Sequence, residues 1–159
     1  MSYGSMYLRS PVQLALLLCY TGMRPTELGQ LRIENIHLEE HYMIGGIKTK
    51  AGKNRRIPIH NKIIPIIQKW YNQDNEFLLM TGTRHIKNAA AILVEWNKSK
   101  LPALLKHTPH DGRHNCETRL DNAHVNKRII QLIIGHAGDV DSVYTAKTTQ
   151  QLIDAINLI

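Results

Sequence analysis

Cysteine and aromatic residues are scarce in this sequence. Its 159 residues include two cysteines, one phenylalanine and two tryptophans. Cys19 and Cys116 are far apart and form no Cys-x-x-Cys pair, so neither a disulfide framework nor a zinc ribbon is expected. Cys19 lies in an apolar run and is predicted to be a buried thiol, which favours a reducing, cytoplasmic location.

Long apolar runs and acidic residues are also few. The longest run, residues 14–20, is too short to span a bilayer, and no small-residue cleavage site marks it as a signal peptide. Thirteen acidic residues stand against 20 lysines and arginines, which gives a formal charge of +7. This balance favours a polyanionic partner, with nucleic acid preferred over a membrane surface.

The remaining composition is that of one globular domain, with 43% hydrophobic residues. Cap and periodicity signals predict helices over residues 12–20, from Pro25, over 61–70, 84–98, from Thr108, over 127–134 and over 148–159. β-Branched segments at 41–47 and 55–59 flank a glycine-containing loop and predict a hairpin. Residues 77–80 are predicted to be a short buried strand or extended segment, and the region around Pro102 a loop. The expected fold class is mainly α with a small antiparallel β-sheet (α+β).

Two groups of cations lie in the first third of the chain. Arg24 is placed at a tight corner between two helices, with Glu27 one turn later, which predicts either a surface ion pair or an arginine directed into a cleft. The hairpin carries the cationic residues Lys48, Lys50, Lys53, Arg55 and Arg56. They form either a solvated turn or a loop that lies along a phosphate backbone.

The stretch from Thr108 to Tyr144 contains the other chemically informative residues. Thr108-Pro109 begins a helix, and a spacing of three places His110 and Arg113 on one face near its N-terminus, where free N–H groups favour an anion. Gly135-His136 and Tyr144 follow. Taken singly, the histidines are equally explained as core residues and the tyrosine as a surface residue. Gly112 within this helix is expected to cost roughly 1 kcal/mol relative to alanine.

Four segments together resemble the tyrosine recombinase (phage integrase) family. Thr21-Gly22-Met23-Arg24-Pro25-Thr26-Glu27-Leu28 resembles its first box, and Lys48-Thr49 before Ile57-Pro58-Ile59 resembles its catalytic-lysine turn. Residues 108–114 (TPHDGRH) are similar to its His-x-x-Arg box, and Gly135-His136 with Tyr144-Thr145 to its nucleophile box. The four occur in the family's order and cover nearly the whole chain. Gly112 departs from the family, which commonly has a larger residue there.

The resemblance implies a role for each matching residue. Tyr144 would attack a DNA phosphate and form a 3′-phosphotyrosyl intermediate. Arg24 and Arg113 would hold the non-bridging oxygens, since a guanidinium offers a fork of donors. The remaining roles are proton donation to the leaving oxygen by Lys48, assistance in removing the tyrosine proton by His110, a phosphate hydrogen bond from His136, and support of Arg24 and the histidine by Glu27. The hairpin residues Lys50, Lys53, Arg55 and Arg56 would contact DNA. No metal or cofactor is expected.

The predicted function is therefore site-specific DNA recombination, the integration or excision of a phage or mobile element. Residues 1–8 are interpreted as a leader or linker remnant and residues 9–159 as the catalytic domain, without the family's N-terminal core-binding domain. The expected partner is double-stranded DNA in the cytoplasm, at the nucleoid. Self-association on DNA, up to a tetramer, would use the C-terminal helix, which alternatively packs on its own core.

Three other functions compete with this prediction. A type IB topoisomerase-like enzyme shares the chemistry, and a non-catalytic DNA-binding remnant would share the fold. A helix-turn-helix over residues 110–134 fits on lengths alone, although a recognition helix should expose polar side chains and residues 129–134 are mostly isoleucine and leucine.

Overall fold

The computed structural model describes residues 10–46, 54–136 and 145–159. The predicted fold class is confirmed: over these ranges the chain is mainly helical, with small antiparallel sheets. In chain order the elements are α1 Pro11–Thr21, α2 Pro25–Gly29, β1 Ile36–His37, β2 Tyr42–Gly45, β3 Arg55–Pro58, α3 Ile64–Trp70, β4 Met80–Thr81, β5 Arg84–His85, α4 Ala89–Trp96, α5 Pro102–Leu105, α6 Pro109–Asn122, α7 Lys127–Ile134 and α8 Ala146–Ile156.

Local capping fixes where the helices that carry the site begin. At the start of α1 the Ser10 hydroxyl accepts a hydrogen bond from the Gln13 backbone N–H at 3.1 Å, and Pro11 occupies the first helical position. At the start of α6 the Asp111 carboxylate accepts the Thr108 N–H at 2.8 Å. Both starts agree with the sequence prediction, because a cap depends only on residues within one turn.

The predicted hairpin is present as two strands of a three-stranded antiparallel sheet in the order β1-β2-β3. Met43 pairs with Ile57 across β2 and β3, and both side chains are fully buried, so this face of the sheet covers the core. Strand β1 was not predicted. It contains two residues only, too few to produce a periodic pattern.

Helices α1 and α6 pack against each other in the centre of the domain. Gly112 on α6 faces Leu18 of α1 so closely that a Cβ atom at Gly112 would lie 2.7 Å from the Leu18 Cβ and 3.3 Å from the Cys19 N. Gly112 therefore has a packing reason at this position. A glycine lets the two helices approach, and α6 in turn carries His110 and Arg113.

Three segments differ from the sequence prediction. The helix expected over residues 84–98 begins only at Ala89, because Asn88 caps it through the Ala91 N–H, and Arg84 and His85 form β5 instead. The loop expected around Pro102 contains the short helix α5. The helix expected from Asn61 begins as a 3-10 turn over Asn61–Ile63, capped by His60.

The C-terminal helix packs on its own domain. Leu152, Ala155 and Ile156 of α8 are buried in a second apolar cluster with Ile133 and Leu120. In this arrangement the apolar face of α8 is covered by the same chain. No helix in the described ranges is long and apolar enough to cross a membrane.

Candidate active site

The first predicted arginine is held where the structure turns from α1 into α2. Arg24 is the residue before α2, in an extended conformation, and its backbone N–H donates to Glu27 Oε1 at 3.1 Å. Its guanidinium Nη1 donates to the same oxygen at 3.3 Å, and the Arg24 side chain remains 31% exposed. The carboxylate of Glu27 thus fixes both ends of Arg24 while leaving guanidinium donors accessible to a ligand.

The second predicted arginine, Arg113, projects from α6 beneath this corner. Its side chain is buried, and Nη1 donates to the Gly22 carbonyl at 2.8 Å. Its Nη2 lies 3.0 Å from Nε2 of His136. A guanidinium has no acceptor, so the His136 Nε2 must accept this hydrogen bond and the ring is neutral with its proton on Nδ1. Three boxes that are distant in sequence therefore meet at Arg113.

The electrostatics of this cluster show that positive charge is crowded here. Burial, followed by repulsion from Arg24 and Arg55, lowers the pKa of Arg113 to about 10, although Arg113 remains charged at neutral pH. Its two direct partners, the Gly22 carbonyl and the His136 ring, are both uncharged. The charges of Glu27 and Glu117 offset part of this repulsion, but within the described residues neither carboxylate hydrogen-bonds Arg113, so its guanidinium favours an anionic ligand nearby.

The two predicted histidines also lie in this field. Burial and then the Arg113 charge lower the pKa of His136, and the same charge acts on His110, whose pKa is lowered by burial, by His114 and by Arg113. The rings of His110 and His114 meet edge to face with centroids 5.1 Å apart. His110 is exposed at the first turns of α6, one turn before Arg113. It is accessible to a reacting group beside the two arginines.

The predicted DNA contact of Arg55 is contradicted by the structure. Arg55 is fully buried: its Nη1 pairs with Glu27 Oε2, and its Nε donates to the Ile133 carbonyl at 3.2 Å. A side chain with no exposed surface cannot reach a phosphate backbone outside the domain. The neighbouring Arg56 is only partly buried, and its Nη1 donates to the Thr149 hydroxyl at 2.6 Å while its guanidinium lies over the Tyr42 ring.

Glu27 consequently has a larger role than the one predicted for it. Its two carboxylate oxygens are shared between Arg24 and Arg55, and its side chain is only 4% exposed. The carboxylate joins an accessible arginine immediately before α2 to a buried arginine on β3. The predicted pairing of Glu27 with Arg24 is present, whereas no hydrogen bond joins Glu27 to a histidine in the described ranges. The partner that was not predicted, Arg55, is 28 residues away.

Gly135 is a further residue of the site, and its contact with Arg55 was not predicted from the sequence. It ends α7 with φ of 79°, and a Cβ atom there would lie 2.9 Å from Cδ and 3.0 Å from Nε of Arg55. Only glycine combines this left-handed conformation with so close an approach. The backbone immediately before His136 therefore rests on the Arg55 side chain.

Several predicted residues lie outside the described ranges. These are Lys48, Lys50 and Lys53 in the hairpin loop, the proposed nucleophile Tyr144, and the predicted leader 1–8. Their roles stay predictions. Within the described ranges, no group of three or more histidine, cysteine, aspartate or glutamate side chains could hold a metal ion.

The helix-turn-helix alternative does not agree with the structure. Ile130, Leu132, Ile133 and Ile134 of α7 are buried in the second apolar cluster, whereas a recognition helix has to present its side chains to a groove.

Comparison with known proteins identifies relatives that match most of the chain. The model of the phage integrase family matches residues 4–151. The sequence is 32% identical over 152 residues to tyrosine recombinase XerA of Pyrococcus furiosus, covering 90% of this chain and 52% of that protein. Against the Pyrococcus horikoshii XerA it is 34% identical over 154 residues, covering 91% and 53%. The chain thus spans about half the length of these curated relatives.

Solved structures share the fold at low sequence identity. An integrase from mycobacterium phage Brujita superposes with a TM-score of 0.68 at 18% identity, covering 93% of this chain and 50% of that one. A Tn1549 transposon integrase in complex with transposon right end DNA gives a TM-score of 0.61 at 22% identity, covering 89% and 57%. The match of the family model over most of the chain establishes that this chain belongs to the phage integrase family.

Proposed function

We propose that this chain is the catalytic part of a site-specific tyrosine recombinase, which cleaves and rejoins DNA for integration or excision of a mobile element. One observation carries the proposal: in the described part of the chain the buried Arg113 hydrogen-bonds only uncharged groups, and it lies beside Arg24 and His136. The arrangement is suited to an oxyanion, and a DNA phosphate is the anion that family membership and the charge of +7 favour.

The two arginines would act on the phosphate from different sides. Arg24 is partly exposed and keeps donors available beyond its contact with Glu27, while Arg113 approaches from the buried side. Negative charge grows on the phosphate in the transition state of its displacement, so fixed donors already in place would stabilise it without reorganisation. His136 would accept its hydrogen bond from Arg113 at Nε2 and donate one from Nδ1 to a phosphate oxygen.

Tyr144 is the proposed nucleophile and Lys48 the proposed acid. The phenolate would form a bond to phosphorus as the bond to the 5′-oxygen breaks, and the leaving oxygen would take a proton from Lys48. Tyrosine has a reference pKa near 10, so it attacks poorly unless a base or nearby cations stabilise the phenolate. His110 is exposed one turn from Arg113, with its pKa lowered by burial and by neighbouring positive charge, so it is neutral and able to accept the proton.

The remaining partner predictions belong to the same proposal. Lys50, Lys53 and Arg56 would follow the DNA backbone beside the site. Self-association on DNA, up to a tetramer, is also proposed, as recombination requires two duplexes to be cut and exchanged. The apolar face of α8 is covered within this chain, so assembly through α8 would require it to leave that position.

A suicide substrate tests the chemistry. The protein is incubated with a nicked duplex containing the element's attachment core, and the mixture is run on a denaturing protein gel. We expect a band shifted by covalently attached DNA, absent in Tyr144→Phe, with DNA affinity unchanged in that variant. A Tyr144→Phe protein that still forms the adduct would refute the nucleophile assignment.

Two further outcomes separate the competing functions. Binding without an adduct in the wild-type protein would favour a non-catalytic DNA-binding protein of this fold. Relaxation of supercoiled plasmid lacking any attachment site, at a rate equal to that on attachment DNA, would favour a topoisomerase-like enzyme.

A further inference from the structure

Arg55 contacts both halves of the candidate site while remaining completely buried. Toward α2 its Nη1 pairs with Glu27, the carboxylate that holds Arg24. Toward α7 its Nε donates to the Ile133 carbonyl at 3.2 Å. The contacts are separated by 28 and 78 residues in sequence, so a single side chain on β3 ties together two segments that the chain itself brings from far apart.

The contact with α7 reaches the residue that precedes His136. A Cβ atom at Gly135 would lie 2.9 Å from Cδ, 3.0 Å from Nε and 3.4 Å from Cζ of Arg55. The backbone that leaves α7 therefore lies directly on the Arg55 side chain. Since the His136 ring bonds Arg113, a shift of this backbone would move the histidine relative to the second arginine.

The third nitrogen of Arg55 supports a role beyond simple charge balance. Nη2 is buried and has no hydrogen-bond partner among the described residues. An unpaired buried donor costs stability, roughly 1–3 kcal/mol. A smaller or apolar side chain would avoid this cost. The presence of an arginine therefore indicates that the two bonds made by its Nε and Nη1 are needed at this position.

We propose that Arg55 is a positioning residue for the phosphate site: it sets Arg24 through Glu27 and sets His136 through the Ile133 carbonyl and the Gly135 backbone. Arg55 touches neither the substrate nor the reacting atoms in this scheme. The inference rests on the proposed DNA-cleaving function for its kinetic test, and it replaces the DNA contact expected for Arg55 from the sequence.

Two variants separate geometry from charge. Arg55→Lys keeps a positive charge beside Glu27 but has one nitrogen, which cannot bond Glu27 and the Ile133 carbonyl with the geometry of a fork. Arg55→Met removes the charge and leaves Glu27 buried without this partner, so its folding must be verified by circular dichroism and thermal melting. Arg32→Met is the control, since Arg32 is an exposed arginine paired with Glu76 at 2.6 Å.

The kinetic readout divides binding from chemistry. Single-turnover adduct formation is measured at saturating suicide substrate, and DNA affinity by fluorescence anisotropy over a salt series. For Arg55→Lys we expect a loss of roughly 10- to 100-fold in the single-turnover rate, the size expected when reacting groups are misplaced by about an ångström. Its affinity and salt dependence should equal those of the wild type, and Arg32→Met should keep the wild-type rate.

If Arg55 instead contacted a DNA phosphate, its replacement would impair binding and not the chemical step. The affinity would fall, the slope of log K against log salt would decrease by about one, and the rate at saturation would be preserved. That result, or a wild-type rate in a folded Arg55→Lys protein, would overturn the inference.

A readout without DNA keeps this test independent of the proposed function. The positive charge of Arg55 contributes to lowering the pKa of His136, after burial, Arg113 and Arg24. An NMR titration of His136, assigned with His136→Gln, should show a higher pKa in Arg55→Met and a perturbed ring environment in Arg55→Lys. Identical His136 signals in the wild type and both variants would overturn the inference. Absence of any wild-type adduct, with the His136 signals shifted as expected, would refute the proposed function alone.

Discussion

Replacing Gly112 by alanine tests whether the approach of α1 and α6 controls the site. Alanine favours a helix over glycine by about 1 kcal/mol, so on local propensity alone Gly112→Ala should stabilise α6. The new Cβ, however, would lie 2.7 Å from the Leu18 Cβ, 3.2 Å from the Leu18 carbonyl carbon and 3.3 Å from the Cys19 N. Two of these three atoms are backbone, which cannot move aside by rotating a side chain.

The expected effect follows from weighing these two contributions. Overpacking of a core costs about 1–3 kcal/mol, and the upper part of that range applies when backbone atoms obstruct the new group. Subtracting the propensity gain of about 1 kcal/mol leaves a net loss of about 1–2 kcal/mol in the free energy of unfolding. For a domain of this size, each kcal/mol lowers the melting temperature by roughly 2–4 °C.

Urea denaturation followed by circular dichroism measures this difference. Asn115→Ala on the same helix is the matched control, because Asn115 is exposed and its replacement should give the propensity gain without a clash. The adduct-forming rate of Gly112→Ala should also fall, since α6 carries His110 and Arg113. A Gly112→Ala protein as stable as Asn115→Ala would refute the packing argument.

Three further predictions concern buried residues. Gly135→Ala should destabilise the fold by about 1–2 kcal/mol from the left-handed backbone alone, with a further loss from the Arg55 contact, and a wild-type urea midpoint would contradict this. Glu27→Gln should lower the free energy of unfolding by about 3–5 kcal/mol, because Arg55 loses a buried counter-charge. Glu76→Gln, the control at an exposed pair, should change it by less than about 1 kcal/mol. Equal effects of the two substitutions would contradict a stabilising role for the Glu27–Arg55 pair. Burial lowers the pKa of His60, and the neutral ring accepts the Lys62 N–H at Nδ1 over 2.9 Å. Because the pKa is lower in the folded state, the stabilisation by His60 is complete above pH 6.5 and is lost as the pH falls through the lowered pKa. A urea midpoint series from pH 8 to 4.5 should show a smaller acid-side decline in His60→Asn than in the wild type, and parallel curves would contradict this.

The sequence predicted those features that depend on neighbouring residues. Ser10-Pro11 and Thr108-Pro109 mark helix starts because a cap forms within one turn, and Gly135 marks the end of α7 for the same reason. The order of the boxes indicated the fold class and the meeting of Arg24, Arg113 and His136. The start of α4 was misplaced because apolar residues at helical spacing continue upstream of Ala89, and the Asn88 cap was not weighed against them.

The long-range partners of buried residues were the feature that local patterns could not give. Gly112 looked like a helix weakness because propensity counts only its own helix, while its reason is Leu18 on a helix about ninety residues earlier. The partners of Arg55 are equally remote, with Ile133 in α7. Such contacts exist only once the tertiary structure has formed.

A signal for the role of Arg55 was nevertheless present in the hairpin. Side chains alternate between the two faces of a strand, so Arg55 and Ile57 share one face and Arg56 has the other. Ile57 is the strand's natural core residue, and it is fully buried in the structure. One of the two adjacent arginines therefore had to point into the core, and a buried arginine requires a carboxylate. Glu27, at the corner predicted to face a cleft, was a candidate for that carboxylate. Alternation along the strand would then have assigned Arg55 to the interior and left Arg56 as the residue able to meet a ligand.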